Sequence, residues 1–284
     1  MKFDEFSDEP LLSVIILNYK NAKLTAECVK HLDKSVKKAK INAQIIVVDN
    51  SADKTSEELK KLLPDYVEII ENEENLGFSK ANNQGLKISQ GKYVLLLNND
   101  AFVNVNCLEK GIKYLENMEC PGIWAPSLIG ENGDLQGSTA RFPSLKDLIG
   151  EYFLFRHYNV YEDFLQWKEP KEVDMVIGAF MLMEKKLVDK VGLLDENFFF
   201  NAEDVDYCKR VHDSGFPVIY DPRVSITHIG GASQEDKWFK DPYLHKTRII
   251  YSYKHYNFFE AFLSEITIKL GLIFRKFLWW LHKC

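Results

Sequence analysis

Three clusters of side chains in this sequence have the types and spacing to do chemistry. In the first, Asn98-Asn99-Asp100 follows at once on Tyr93-Val94-Leu95-Leu96-Leu97. A short unbroken apolar run bounded by turn formers reads as a strand buried on both faces. In open α/β sheets, ligands sit beyond the carboxyl ends of such strands. In the second cluster, Glu203, Asp204 and Asp206 come directly after Phe198-Phe199-Phe200. Acids at a helix start complement its dipole. A carboxylate beside aromatic rings also has its ionised form disfavoured by desolvation, which suits a general base. The third is His228, which closes the apolar run from Val224 and precedes Ile229-Gly230-Gly231. That position suits either a core histidine or a metal ligand.

The elements that must position these groups are legible from periodicity. Leu11 to Leu17 reads as a first buried strand ending at Asn18-Tyr19, and Thr25 to Lys38 as a helix. Gln44 to Val48 is a second strand, ending in Asp49-Asn50-Ser51, and Ser56 to Leu63 a helix stopped by Pro64. Val67 to Ile70 is a short strand, Asn75-Leu76-Gly77-Phe78 a turn, and Ser79 a cap for a helix over Lys80 to Ser89. Strands alternating with helices of this length predict a mostly parallel sheet with helices on both faces. Parallel strands bring Asn18, Asp49-Asn50 and Asn98-Asn99-Asp100 to one edge, where three polar clusters make a pocket. Neither a Gly-x-Gly-x-x-Gly turn nor a Gly-x-x-x-x-Gly-Lys-Ser/Thr loop is present, so dinucleotide and P-loop sites are disfavoured.

Further on, Cys107 to Glu116 reads as a helix, Gly122 to Pro126 as a strand, and Gly130 to Phe155 as an irregular, aromatic-rich, substrate-shaping stretch. Val173 to Met183 is an apolar strand pair or bent strand, Lys185 to Val191 a helix, and a further helix runs from the acids to Ser214. Val218 to Asp221 and Val224 to Thr227 are strands around Pro222. In the tail, Ile266, Leu270, Ile273, Phe277 and Trp280 recur at helical spacing. Lys269, Lys276 and Lys283 fall on another face. Charges interrupt the stretch too often for a membrane span. It suits a bilayer surface, or a helix docked on the protein body or a second subunit.

The composition is that of an ordinary globular protein, 46% hydrophobic and 27% charged over 284 residues. A formal net charge of −6 disfavours nucleic acid as a partner. Five scattered cysteines without a Cys-x-x-Cys spacing fit a reducing compartment and argue against structural zinc. Met1 to Pro10 carries no secretory signal, so a cytoplasmic location is expected.

Taken together, Val14 to Tyr19, Val47 to Ser51, Asn75 to Phe78 with Ala81-Asn82 and Gly85, Leu95 to Ala101, Gly178-Ala179, Phe198 to Asp206 with Arg210, and His228 with Gly230-Gly231 resemble the inverting family-2 glycosyltransferases. Gly133 to Ser144 resembles their rhamnosyltransferase-like subgroup. The resemblance implies an α/β GT-A fold, a mostly parallel sheet flanked by helices. Its Rossmann-like nucleotide half would cover about residues 1–128 and an acceptor half residues 129–235. Residues 236–284 lie beyond it as a helical extension, whose stretch 262–284 is the one read above as suiting a bilayer surface, the protein body or a second subunit. It further implies nucleotide contacts at Asn18, Tyr19, Asp49, Asn50, Asn75, Gly77, Asn82, Asn98 and Asn99. Asp100 and His228 would hold Mg²⁺ or Mn²⁺, and Asp204 would be the catalytic base. Donor-sugar or acceptor contacts would fall at Gly178, Ala179, Glu203, Gln136, Arg141 and Trp238. Asn98 stands where many members have Asp, so either Asp100 and His228 carry the metal or its binding is looser.

The implied reaction moves a sugar, with dTDP-rhamnose the first choice of donor and a UDP-sugar the second. The acceptor would be a hydroxyl on a glycan or lipid-linked sugar at the inner face of the cell membrane. The rival readings are a nucleotidyltransferase and a non-catalytic nucleotide- or glycan-binding scaffold. The first usually wants a glycine- and lysine-rich loop after strand one, and only Lys20 is offered there.

Overall fold

A computed structural model describes residues 9–156, 161, 164–230 and 242–283. The chain runs β1 (Leu12–Asn18), α1 (Ala22–Ala39), β2 (Ala43–Asp49), α2 (Thr55–Leu62), β3 (Glu68–Glu71), α3 (Phe78–Ile88) and β4 (Tyr93–Asn98). It continues through β5 (Ala101–Phe102), α4 (Cys107–Glu116), β6 (Ile123–Ile129), β7 (Thr139–Ala140), α5 (Leu145–Leu154), β8 (Lys171–Glu172) and β9 (Met175–Val176). Then come β10 (Phe180–Glu184), α6 (Lys185–Val191), α7 (Glu203–Asp213), β11 (Val218–His228), α8 (Pro242–His255) and α9 (Phe258–Lys283).

The main sheet has the order β3-β2-β1-β4-β10-β6-β11-β5, with β8 on β11. Its first four strands are parallel, and Asn18 stands opposite Asp49 and Leu17 opposite Asn98. The apolar run of β4 is buried throughout, as a central strand covered on both faces requires. Two apolar layers cover the sheet, one under α1 and α4 and one under α3, α6 and α7.

Several elements differ from expectation, each for a local reason. Strand β10 enters antiparallel between β4 and β6, an order that periodicity does not encode. The stretch read as a strand pair or bent strand holds two strands, which do not pair with each other. Strand β9 pairs with β7 in a separate ribbon, and β10, beyond Gly178, joins the main sheet. Residues 218–228 form one strand rather than two, with Pro222 absorbed where the β11–β6 register shifts between Asp221 and Ser225. The stretch read as irregular contains α5, started by a reciprocal Ser144–Asp147 capping box. Ser79 does not cap α3; it lies inside the helix and is buried.

Gly77 occupies that cap position instead. It has φ 78° and ψ 177°, a region open only to glycine, and Phe78 N donates to Phe199 O at 2.6 Å. A Cβ at Gly77 would lie 2.5 Å from Phe199 O. Gly77→Ala therefore meets both backbone strain and a backbone clash. Its denaturation midpoint should show a loss larger than ~1–3 kcal/mol, the cost of the strained dihedral alone. A wild-type midpoint would contradict this contact.

Candidate active site

The ends of β1 and β2 are locked together. Asn18 Nδ2 donates to Asp49 Oδ1 at 2.8 Å and to Ser51 Oγ at 3.2 Å, while Thr25 Oγ1 donates to Asn18 Oδ1 at 2.7 Å. Asp49 Oδ1 also accepts from Ser51 N and Oγ, whereas Oδ2 has no partner among the described residues. Asn50 braces the next loop: its Nδ2 donates to Asn75 Oδ1 at 2.7 Å, and its Oδ1 accepts from Leu76 N at 2.9 Å. Asn75 Oδ1 accepts from Gly77 N as well, and Asn82 Nδ2 donates to Phe78 O. Asn18, Asn50 and Asn82 are all buried. The Asn18 and Asn50 amides brace the loops and Asn82 Nδ2 the first turn of its own helix, while Asp49 Oδ2 and the exposed Tyr19 ring are open to a ligand.

At the end of β4 the chain leaves the sheet. Asn98 N donates to Ala179 O at 3.1 Å, Asn99 Nδ2 donates to Thr25 Oγ1 at 3.0 Å, and the Asn98 amide has no partner among the described residues. The chain then rejoins the sheet at β5, where Ala101 stands opposite His228. This detour sets Asp100 Oδ1 3.4 Å from His228 Nε2, and Ile229 N donates to Asp100 O.

Gln136, expected at a sugar, has both amide ends on His228. Its Nε2 donates to the His228 carbonyl at 2.8 Å, which turns Oε1 towards Nδ1 at 2.7 Å. With Nδ1 occupied by Gln136, the ring presents Nε2 to the Asp100 carboxylate. A carboxylate oxygen and an imidazole nitrogen placed together in this way are ligands that a divalent cation can share. Among the described residues no third His, Cys, Asp or Glu completes a cluster. The remaining ligands would have to be diphosphate and water oxygens, the usual company of Mg²⁺.

Asp204 reaches the same sheet edge from the other side. Asn201 and Ala202 both have left-handed backbone (φ 71° and 66°) immediately before α7. Asp204 Oδ2 then accepts from Gly178 N at 3.0 Å and Oδ1 from Val205 N at 2.8 Å. Gly178 adjoins Ala179, the partner of Asn98. Ala179 is buried, so its backbone rather than its side chain serves the site. Glu203 is buried with Oε2 unpartnered. Burial, and then the neighbouring Asp204 charge, push its pKa well above the usual carboxylate range. Burial raises Asp204 too, but the two N–H donors oppose that rise, so of the pair Asp204 gives up its proton the more readily.

Arg141 is exposed and lies with Asp204 on a cavity of about 270 Å³ that does not include Asp100 or His228. Trp238 lies outside the described residues. Two anchors hold this part of the site: Asn83, which sequence reasoning missed, and Asp206, an acid it singled out without its partners. Asn83 exchanges hydrogen bonds with Leu194 N and O, fixing the segment before the aromatic triplet. Asp206, fully buried, accepts from Arg210 Nε at 2.9 Å and meets Lys254 Nζ at 2.7 Å and His255 Nε2 at 2.8 Å. It ties the helix carrying Asp204 to α8.

A parallel sheet edge that gathers a carboxylate–imidazole pair, a second carboxylate and a braced loop defines a GT-A-type α/β protein. The chain belongs to glycosyl transferase family 2, whose sequence pattern matches residues 13–192. It is 28% identical over 206 residues to the low-salt glycan biosynthesis hexosyltransferase Agl10 of Haloferax volcanii, covering 70% of this chain and 61% of that one. It is 28% identical over 167 residues to the rhamnosyltransferase WbbL of Escherichia coli K12, covering 54% and 60%. The chain thus spans about three fifths of the length of these relatives. In structure it is similar to the mannosyltransferase PcManGT of Pyrobaculum calidifontis in complex with GDP-Man and Mn²⁺. The TM-score is 0.58 at 15% identity, covering 93% and 74% of the two chains, a likeness of fold.

Because Glu203 has a raised pKa in the folded protein, folding takes up a proton there. Stability from this group is full below the unfolded glutamate pKa and is lost as pH rises through the folded one. Glu203→Gln should therefore melt at a higher temperature than wild type on the alkaline side, with the gap closing towards acid pH. A constant gap at every pH would contradict a neutral Glu203.

Proposed function

We propose that this protein is a metal-dependent, inverting glycosyltransferase that moves a sugar from a nucleoside diphosphate to an acceptor hydroxyl in glycan biosynthesis. The observation that carries this reading is the Asp100–His228 pair, with Nε2 turned to the carboxylate by Gln136. Asp49 Oδ2 and Tyr19 would receive the nucleoside, on loops that Asn18, Asn50, Asn75, Gly77 and Asn82 hold in shape. A divalent cation on Asp100 and His228 would neutralise the diphosphate and the charge that develops as it leaves. Asn98 and Asn99, uncharged neighbours of that pair, border the diphosphate without adding repulsion.

Asp204 takes the proton of the acceptor hydroxyl. The oxygen forms its bond to the anomeric carbon as the bond from that carbon to the diphosphate oxygen breaks on the opposite face. The electron pair leaves with the nucleoside diphosphate, and one displacement inverts the centre. The protonated Glu203 spares Asp204 and the donor a second negative charge. dTDP-rhamnose is the first donor to try, supported by the Gly133 to Ser144 resemblance and the rhamnosyltransferase relative, and UDP-sugars come next.

The acceptor would be met at the inner face of a cell membrane. No helix among the described residues is long and apolar enough to cross one. Helix α9 docks on the body through Ala261, Ser264, Ile268 and Gly271, while Leu270, Ile273, Phe277 and Trp280 on its opposite side are exposed. Lys269 and Lys276 flank that stripe, as in helices lying on anionic bilayers.

Two experiments test this reading. With Mn²⁺ and a panel of nucleotide-sugars, Asp204→Asn should lose about 10²–10⁴-fold in release of nucleoside diphosphate while still binding the nucleotide. Near-normal turnover would remove Asp204 from the role of base. In flotation assays, wild type should rise with phosphatidylglycerol vesicles and the Ile273→Glu/Phe277→Glu variant should not. Equal flotation of both would reject attachment through α9.

A further inference from the structure

The loop that delivers Asp204 is strained, and its surroundings must hold it so. It runs over residues 196–202 to the start of α7, and Asn201 and Ala202 both take left-handed backbone. Residues with side chains keep that conformation only where neighbouring contacts over-determine it. The middle of the loop is pinned, since Phe199 O accepts from Phe78 N and the Phe199 ring stacks on Tyr243 of α8 at 4.8 Å. Its ends are marked by two acids, Asp195 just before it and Asp206 in the first turn of α7. The Lys254 ammonium of α8 lies between them, 2.5 Å from Asp195 Oδ2 and 2.7 Å from Asp206 Oδ1. It also sits 5.6 Å from the centre of the Phe198 ring. Arg210 and His255 meet Asp206 as well, so that buried acid stays matched if Lys254 is lost. Arg210 further ties α7 to the Val191 and Leu193 carbonyls, ahead of the loop. Lys254 closes the loop itself. Burial pushes both carboxyls up, yet the shared ammonium helps to hold both below the usual carboxylate range.

Resting on the transferase reading, we propose that Lys254 is a positioning residue for the base. By joining Asp195 to Asp206 it closes the loop at both ends and fixes the first turn of α7. Asp204 thereby keeps its place against Gly178 N, where the acceptor hydroxyl is to meet it. Lys254 acts through the loop, so its loss falls on turnover rather than on donor binding. An arginine can stand in for it, because a forked guanidinium can meet two carboxylates.

The test combines amide hydrogen exchange and turnover on the full chain. In Lys254→Met and in Asp195→Asn, amides of residues 196–206 should exchange at least tenfold faster than in wild type, with those of β1 and β2 unchanged. Asp195→Asn keeps an oxygen for the two Asn197 N–H donors and sets an amide donor against the ammonium, leaving Asp206 intact. With Mn²⁺ and dTDP-rhamnose or UDP-sugars, both variants should lose at least tenfold in kcat for release of nucleoside diphosphate. KM for the donor should stay within twofold of wild type. Lys254→Arg should recover most of the lost kcat. Unchanged exchange, unchanged kcat, or a loss confined to KM would each overturn the role of Lys254, while an active wild type leaves the transferase reading standing. A wild type that turns over none of these donors would overturn that reading, and this proposal with it.

Discussion

Asp100 and His228 face one another only because the chain abandons the middle of the sheet after β4 and returns to it beside β11. Had β4 simply continued, Asp100 would be one more strand residue with its side chain in the core. The detour instead places the carboxylate at the edge, where its backbone carbonyl is held by Ile229 N and its side chain meets an imidazole. Gln136 then decides which ring nitrogen can act, since one amide end grips the His228 carbonyl and the other grips Nδ1. Orientation of a ligating histidine by a neighbour of this kind commonly sets metal affinity. The rest of the site is built around that pair.

The second half of the chemistry depends on desolvation held in check. Asp204 and Glu203 are adjacent acids shielded from water, and both cannot carry charge there at little cost. The structure resolves this by giving Asp204 two backbone donors and leaving a Glu203 oxygen with none. The helix that carries them is anchored through Asp206, a buried carboxylate matched by Arg210, Lys254 and His255. A buried ion set of this kind adds little net stability, yet removing one partner is costly. Helix α8 is thereby fixed to the helix that carries Asp204, and it walls the cavity that Asp204 lines.

Much of this was legible before any coordinates. The apolar run of β4, the polar strand ends and the acids after Phe198–Phe200 follow from periodicity and from where parallel strands end. Strand order was not legible, because an apolar run says that a strand is buried and nothing about its neighbours. The antiparallel entry of β10 is the clearest case. Amide side chains were the other gap: nothing in their positions says that Asn18 and Asn50 also brace the loops, or that Asn82 braces the first turn of its own helix. Nothing in the spacing of Gln136 points to a histidine 92 residues away. The Ser144–Asp147 cap was a local signal that could have revealed α5. In α9 the apolar stripe was visible, but its destination was not. Small residues dock the helix, because close approach to Tyr152 leaves no room for a side chain at Gly271.

The central claim is that Asp100 and His228 together form a cation site completed by a diphosphate. Anomalous diffraction from crystals grown with Mn²⁺ and a nucleoside diphosphate tests it most directly. The account predicts one ion within coordination distance, about 2.0–2.3 Å, of an Asp100 oxygen and of His228 Nε2, with diphosphate oxygens in the remaining positions. An ion bound elsewhere, or a nucleotide bound in the cleft with no ion between this pair, would contradict it.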